Sequence, residues 1–182
     1  MEAAPLTRKQ LTLFLNEPES LEIEKIRKTF NPEQYLLIKS HITLCREDEI
    51  EALERVLLNL KQLNLYSFSI AFGRAIRFSD EKGVLIPANG SCEAFHQLRE
   101  MILAGIIEKP RVHEPHITLM HPRNSTCTEE IFKEIAAFNL PDSIQFNKIS
   151  LIEQTAGEPW HVLAEWTLKV PLRCSVGFDT PK

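Results

Sequence analysis

The tetrapeptide His-Ile-Thr-Leu occurs twice in this chain, at 41–44 and again at 116–119, 75 residues later. Each copy sits at the same place in its own half: eleven residues separate Phe30 from His41, and eleven separate Gly105 from His116. The halves, about 1–80 and 81–182, each read strand, helix, extended segment, helix, strand. A solenoid stacks at least three shorter repeats, so two long units point to a pair of pseudo-equivalent lobes within one domain. The 182 residues are 43% hydrophobic and 25% charged, which is enough to bury a core without a metal or disulfide staple and too apolar for disorder.

Periodicity supplies the elements. Gln10–Leu15 is a short apolar strand, punctuated by Asn16–Glu17–Pro18. Leu21, Ile23, Ile26 and Phe30 place a helical stripe on Glu19–Phe30, which Asn31–Pro32 ends. Tyr35–Ile38 and His41–Cys45 read as one extended segment interrupted at Lys39–Ser40. Glu47–Leu63 is the clearest helix, with an acidic first turn and Ile50, Leu53, Val56, Leu57, Leu60 and Leu63 at three- and four-residue spacing. Tyr66–Phe72 alternates as a strand does. A turn at Ser79–Gly83 then leads into a returning strand, Val84–Pro87. In the second half a helix covers Cys92–Ala104, with Phe95, Leu98, Met101 and Ile102 facing inward, and Gly105 ends it. A second extended segment is His116–Met120. A helix over Thr128–Phe138 follows a capping-box spacing, Thr126-x-x-Glu129. Ile144–Ile152, with a bulge between Phe146 and Ile149, and Trp160–Leu168 close the chain as strands.

Alternate side chains of a strand share a face. His41 and Thr43 therefore point one way while Ile42 and Leu44 enter the core, and His116 and Thr118 do the same. If the lobes face each other, two imidazoles and two hydroxyls converge on one cavity. Such a set suits transfer at phosphorus. Hydroxyls hold non-bridging oxygens, a neutral imidazole takes the proton of the attacking oxygen, and an imidazolium protonates the leaving oxygen. Packing would explain a repeated Ile and Leu, but not a repeated His and Thr on the opposite face.

At these residues the sequence resembles the 2H phosphoesterase superfamily, which includes 2'-5' RNA ligase-like proteins and cyclic nucleotide phosphodiesterases. The resemblance covers nearly the whole chain. It rests on the paired H-x-[TS]-x motif at His41/Thr43 and His116/Thr118, on Pro115–Leu119, and on a terminal strand at Trp160–Trp166. Ser40 stands where many relatives have Pro, which bears on the approach angle of His41. The resemblance implies an α+β fold of two pseudo-symmetric lobes, with antiparallel sheets lining a central groove and helices outside. It also implies metal-independent chemistry, without a cofactor, on 2',3'-cyclic phosphates or 2'-5' linkages of RNA ends or small nucleotides. His41 and His116 are then acid and base in either order, and Thr43 and Thr118 hold the phosphate. A non-catalytic nucleotide-binding module and a 2'-5' RNA ligase of the same fold are the alternatives.

Beyond these four residues, Arg46 and Arg123 are candidate phosphate contacts. Phe72, Phe78, Tyr35 and Trp160 are candidates to stack a base, with Trp160 favoured by the loop at Gly157–Pro159 beside it. His121 falls out of phase with His116 and, like His96 and His161, reads as structural. His113, His116, His121 and Cys127 lie close in sequence but match no metal-ligand spacing, so no metal is expected. Net charge is −4, and no basic stripe is present for duplex DNA. Cys45, Cys92, Cys127 and Cys174 form no framework and read as reduced thiols. With neither a signal segment nor a membrane-length apolar run, the chain reads as a cytoplasmic protein, and its internal pseudo-symmetry makes a monomer sufficient.

Overall fold

The computed structural model describes residues 6–169. Nine strands and five helices alternate in it: β1 (Thr7–Phe14), α1 (Ser20–Phe30), α2 (Pro32–Leu37), β2 (His41–Cys45), α3 (Leu53–Gln62), β3 (Phe68–Phe72), β4 (Ile76–Arg77), β5 (Val84–Asn89), α4 (Glu93–Leu103), β6 (His116–Met120), α5 (Glu129–Ala136), β7 (Ser143–Phe146), β8 (Lys148–Thr155) and β9 (His161–Thr167). The strands form two antiparallel sheets. One runs β2-β1-β8-β9. In the other, β6 lies on one side of β5, while β4, β3 and then β7 follow on its other side. The fold is α+β, and each sheet draws strands from both halves of the chain. Among the described residues no helix is long and apolar enough to cross a membrane.

The two halves share their ladder register down to an irregularity. β2 pairs with β1 through Phe14↔His41, Leu13↔Ile42 and Thr12↔Thr43, then shifts to Leu11↔Cys45. β6 pairs with β5 through Pro87↔His116, Ile86↔Ile117 and Leu85↔Thr118, then shifts to Val84↔Met120. Each ladder thus skips the leucine of its tetrapeptide, Leu44 or Leu119, and that residue is fully buried beside a fully buried isoleucine. The resulting bulge twists both strands at the same step. The helices cross over: α1 packs on β6 and α4 packs on β2, while β2 and β6 approach each other across the middle. Ile23 and Ile26 from α1 and Phe95, Leu98 and Ile102 from α4 join Ile42, Leu44, Ile117 and Leu119 in one continuous apolar core.

Several expectations fail for identifiable reasons. Tyr35–Leu37 is helical, and only Ile38 of the expected Tyr35–Ile38 segment is extended. Pro32 starts α2 instead, because its missing N–H costs nothing in a first helical turn. The helix expected over Glu47–Leu63 is broken: Glu47–Glu49 forms a single 3₁₀ turn, and α3 begins only at Leu53. Glu49 causes the break, because its carboxylate turns back to accept from the Arg46 amide (2.9 Å) and inward to Arg99. The cap of α5 is Thr128 rather than Thr126. Its hydroxyl accepts from the Ile131 amide, while the Cys127 amide is held by the Lys82 carbonyl at 2.9 Å. The expected bulge after Phe146 is a change of sheet: β7 pairs with β3, β8 pairs with β1 and β9, and Asn147 is the step between them. Leu21 (54% exposed) and Met101 (42%) face solvent rather than the core. Cys45, Cys92 and Cys127 form no disulfide with one another, and Cys174 lies outside the described residues.

Candidate active site

A cleft of about 630 Å³ opens where β2 and β6 approach, and His41, Thr43, His116 and Thr118 all line it. Their neighbours in the tetrapeptides explain why. In both strands the pattern is half-buried, buried, half-buried, buried, so the isoleucine and leucine anchor the backbone while the imidazole and hydroxyl face the gap.

Both imidazoles are locked the same way. His41 Nδ1 lies 2.8 Å from the Lys39 carbonyl, and His116 Nδ1 lies 3.0 Å from the Glu114 carbonyl, two residues upstream in each case. A carbonyl only accepts, so each Nδ1 carries its proton and each Nε2 is left for chemistry. An aromatic edge supports each ring: Phe14 meets His41 with centroids 6.1 Å apart, and Phe78 meets His116 at 6.0 Å. Phe14 is the ladder partner of His41, whereas Phe78 comes from the turn after β4, so the second half supports its ring by another route.

Loss of hydration at the floor of the cleft, with Arg27, His116 and His121 nearby, pushes the His41 pKa down to about 4, against the pull of the Lys39 carbonyl. His41 is therefore neutral at pH 7. Two further imidazoles line the cleft. His113 packs on Phe95 (centroids 6.1 Å) and approaches His116 (6.2 Å). Burial, then Arg99 and His116, lower its pKa to about 4, and its Nε2 is buried without a partner. His121 is also lowered, by burial and by Arg123 and Arg8, and its Nδ1 accepts from the Arg123 amide at 3.1 Å. The sequence places His121 among the structural histidines, but in the structure it is part of the cleft wall. Among the described residues no group of three or more His, Cys, Asp or Glu side chains is arranged to hold a metal ion.

Two ion pairs built on buried arginines brace the strands. In α1, Arg27 (1% exposed) pairs with Glu24 at 2.7 Å and donates to the Ile38 carbonyl at 2.7 Å, while Glu24 accepts from the Ser40 amide. A proline at 40, like Pro115 ahead of His116, would have no proton to give Glu24, so Ser40 is what allows this brace. In α4, Arg99 (2% exposed) pairs with Glu49 at 2.6 Å and donates to the Leu44 carbonyl. Burial alone would raise the Glu49 pKa. Arg99, the Arg46 amide and Arg111 instead hold it down to about 2.

Arg46, Arg123, Trp160 and Phe78 also line the cleft, whereas Phe72 is in the core and Tyr35 lies off the lining. Reading the sequence missed Arg8, Arg27, Gln34 and Gln154 and weighed His113 only as a metal ligand, and all five are lining residues. Arg8 and Gln154 are partners across β1 and β8, a pairing of distant segments that no local spacing announces.

A sequence model of the 2'-5' RNA ligase superfamily matches residues 15–158, and the chain belongs to that superfamily. No curated protein matches the sequence significantly. Among solved structures, Escherichia coli LigT in complex with phosphate is 19% identical with a TM-score of 0.62, covering 92% of this chain and 99% of LigT. LigT in complex with 3'-AMP is 20% identical (TM-score 0.59, 91% and 99% covered). TT0787 of Thermus thermophilus is 19% identical (TM-score 0.57, 90% and 99% covered). At these identities the structural likeness is one of fold.

Proposed function

We propose that this member of the 2'-5' RNA ligase superfamily is a metal-independent phosphodiesterase that opens 2',3'-cyclic phosphates, or cleaves 2'-5' linkages, at RNA ends or in small nucleotides. The observation that carries the reading is the duplicated, identically locked pair of imidazoles, each with a threonine beside it, on the two strands lining one cleft. In the proposed hydrolysis, the Nε2 of one imidazole takes a proton from water as the water oxygen bonds to phosphorus. The P–O bond to the 2' or 3' oxygen breaks, and the Nε2–H of the other imidazole protonates that oxygen, leaving a ribose monophosphate. Thr43 and Thr118 donate to the non-bridging oxygens, and Arg46 balances the negative charge that builds up on them. His41, neutral at pH 7 with its proton on Nδ1, is the imidazole suited to take the water proton, which leaves His116 to act as the acid. The LigT complexes with phosphate and with 3'-AMP support a phosphate-centred site for nucleotides, since 3'-AMP is what opening of adenosine 2',3'-cyclic phosphate at the 2' oxygen would yield.

The test is turnover of the four nucleoside 2',3'-cyclic phosphates and of 2'-5' dinucleotides in EDTA, with product analysis. His41→Ala and His116→Ala should each lose about 10²–10⁴-fold in kcat while still melting cooperatively. Undiminished turnover in either variant removes that residue from the mechanism. A nucleotide that raises the melting temperature yet survives long incubation would make the protein a binder instead.

A further inference from the structure

The charges that line the cleft fall into two groups. Arg46 and His121 each lie three residues beyond the threonine of their motif, just past β2 and β6. Next to Arg46 in the chain two carboxylates, Glu47 and Asp48, join the lining, and Asp48 grips Arg111 at 2.7 Å. Around His121 is a cationic end: the charges of Arg123 and Arg8 both act on its imidazole, Gln154 and Trp160 lie against Arg8, and Gln34 bonds Asn124. Asp80, in the adjoining turn, directs its Oδ1 to the Lys82 amide.

That cationic end is held by hydrogen bonds. The Arg8 guanidinium lies over the Trp160 ring at 5.4 Å and donates to Gln154 Oε1, and Gln154 Nε2 is fixed by the Glu158 carbonyl at 2.7 Å. The Trp160 amide is tied to the Leu37 carbonyl at 2.8 Å. Asn31, 1% exposed, accepts from the His121 amide at 2.8 Å and donates to Asn124 at 3.2 Å, which pins the loop carrying Arg123. Because His121 Nδ1 accepts from the Arg123 amide, its proton sits on Nε2 as a neutral donor. Among the described residues neither Arg8 nor Arg123 has a carboxylate partner, unlike the paired Arg27, Arg77, Arg99 and Arg111. Two planar donor forks without a carboxylate partner, the Arg8 one fixed by Trp160 and Gln154, are what a phosphate needs.

We infer that this end is a subsite for a second phosphate, so that the substrate is a nucleotide bearing a phosphoryl group on its 5' oxygen as well as the phosphate at which reaction occurs. With the 2' and 3' oxygens both in the cyclic phosphate, the 5' oxygen is the ribose position left to carry it. The group is either the monoester of a free nucleotide or the diester that continues an RNA strand, and both present anionic non-bridging oxygens to a guanidinium. The inference rests on the phosphodiesterase reading for the first phosphate, and its test is chosen not to depend on turnover.

Calorimetric titration should show adenosine 3',5'-bisphosphate binding about tenfold or more tighter than adenosine 3'-monophosphate. In Arg8→Met and in Arg123→Met that ratio should fall toward one, with Arg8→Lys recovering part of it and each variant keeping a cooperative melt. Equal affinity of the two ligands for the wild-type protein overturns the subsite. So does an advantage that survives both methionine variants. An advantage that holds while no cyclic phosphate is ever opened supports the subsite and removes the hydrolase. Comparing kcat/KM for a 5'-phosphorylated cyclic nucleotide with that for a dinucleotide ending in a cyclic phosphate then separates the monoester from the RNA strand.

Discussion

Arg99→Met removes a charge from the interior while nearly preserving its volume, so it isolates the electrostatic part of one buried contact. Arg99 and Glu49 are 2% and 3% exposed, bonded at 2.6 and 3.3 Å, and Arg99 also serves the carbonyls of Leu44 and Arg111. Without it, Glu49 keeps the Arg46 amide at 2.9 Å and Arg111 Nε at 3.2 Å. Removing one partner of a buried pair costs about 3–5 kcal/mol. The contacts that survive point to the lower end, about 3 kcal/mol, or roughly 6–12 °C in Tm for a chain of this size. Urea unfolding at pH 7 measures this. The pH dependence has a fixed sign. Glu49 titrates near pH 2 in the folded protein, below its ordinary value, so its stabilising contribution is full above pH 4.5 and is lost as pH falls toward 2. The variant has less of that contribution to lose, so the gap between the two proteins should narrow from pH 5 to pH 3. Glu49→Met combined with Arg99→Met should recover most of the deficit, because no lone charge is left buried. A loss under about 1 kcal/mol for the single variant, or a double variant as unstable as the sum of the singles, would refute this reasoning.

Acid should also act through the cleft histidines. His41 and His113 titrate near pH 4 in the folded chain and His121 below its ordinary value, so as pH falls from 6.5 toward 4 the unfolded chain takes up protons that the folded one refuses. Stability should drop by up to about 1.4 kcal/mol per pH unit for each such histidine, as read from urea midpoints. NMR titration midpoints near 6.5 for His41 and His113 would remove the basis for this. Gly83→Ala should cost about 1–3 kcal/mol, since a methyl group there sits 2.4 Å from the Met120 carbonyl oxygen and 2.9 Å from the Phe78 ring. Turnover should fall with it, as Phe78 supports His116, and an unchanged Tm would show that the turn gives way freely.

The strands carrying the repeated tetrapeptide are legible to the residue, because alternation and duplication reinforce each other there: β2 and β6 begin at His41 and His116. What the sequence hides are features decided by distant partners. Glu49 looks like one more acid in an N-terminal turn until Arg99, fifty residues on, draws it inward. Asn147 looks like a slip of phase until the two strands beside it are seen in different sheets. The lining residues Arg8 and Gln154 carry no local signature, because a cross-strand pair between the two ends of a chain has none. Pro32 misleads for a simpler reason: a proline that stops one helix also suits the first turn of the next.

The crossover of the two long helices has a consequence for how the molecule can come apart. A fragment ending between the halves would keep α1 but lose β6 beneath it, and would keep β2 but lose the α4 that covers it. Neither piece could therefore hold even its own histidine in place. The duplication is visible in the sequence as two modules, but mechanically the protein is a clasp, and the cleft between the two histidines exists only while both sides are fastened.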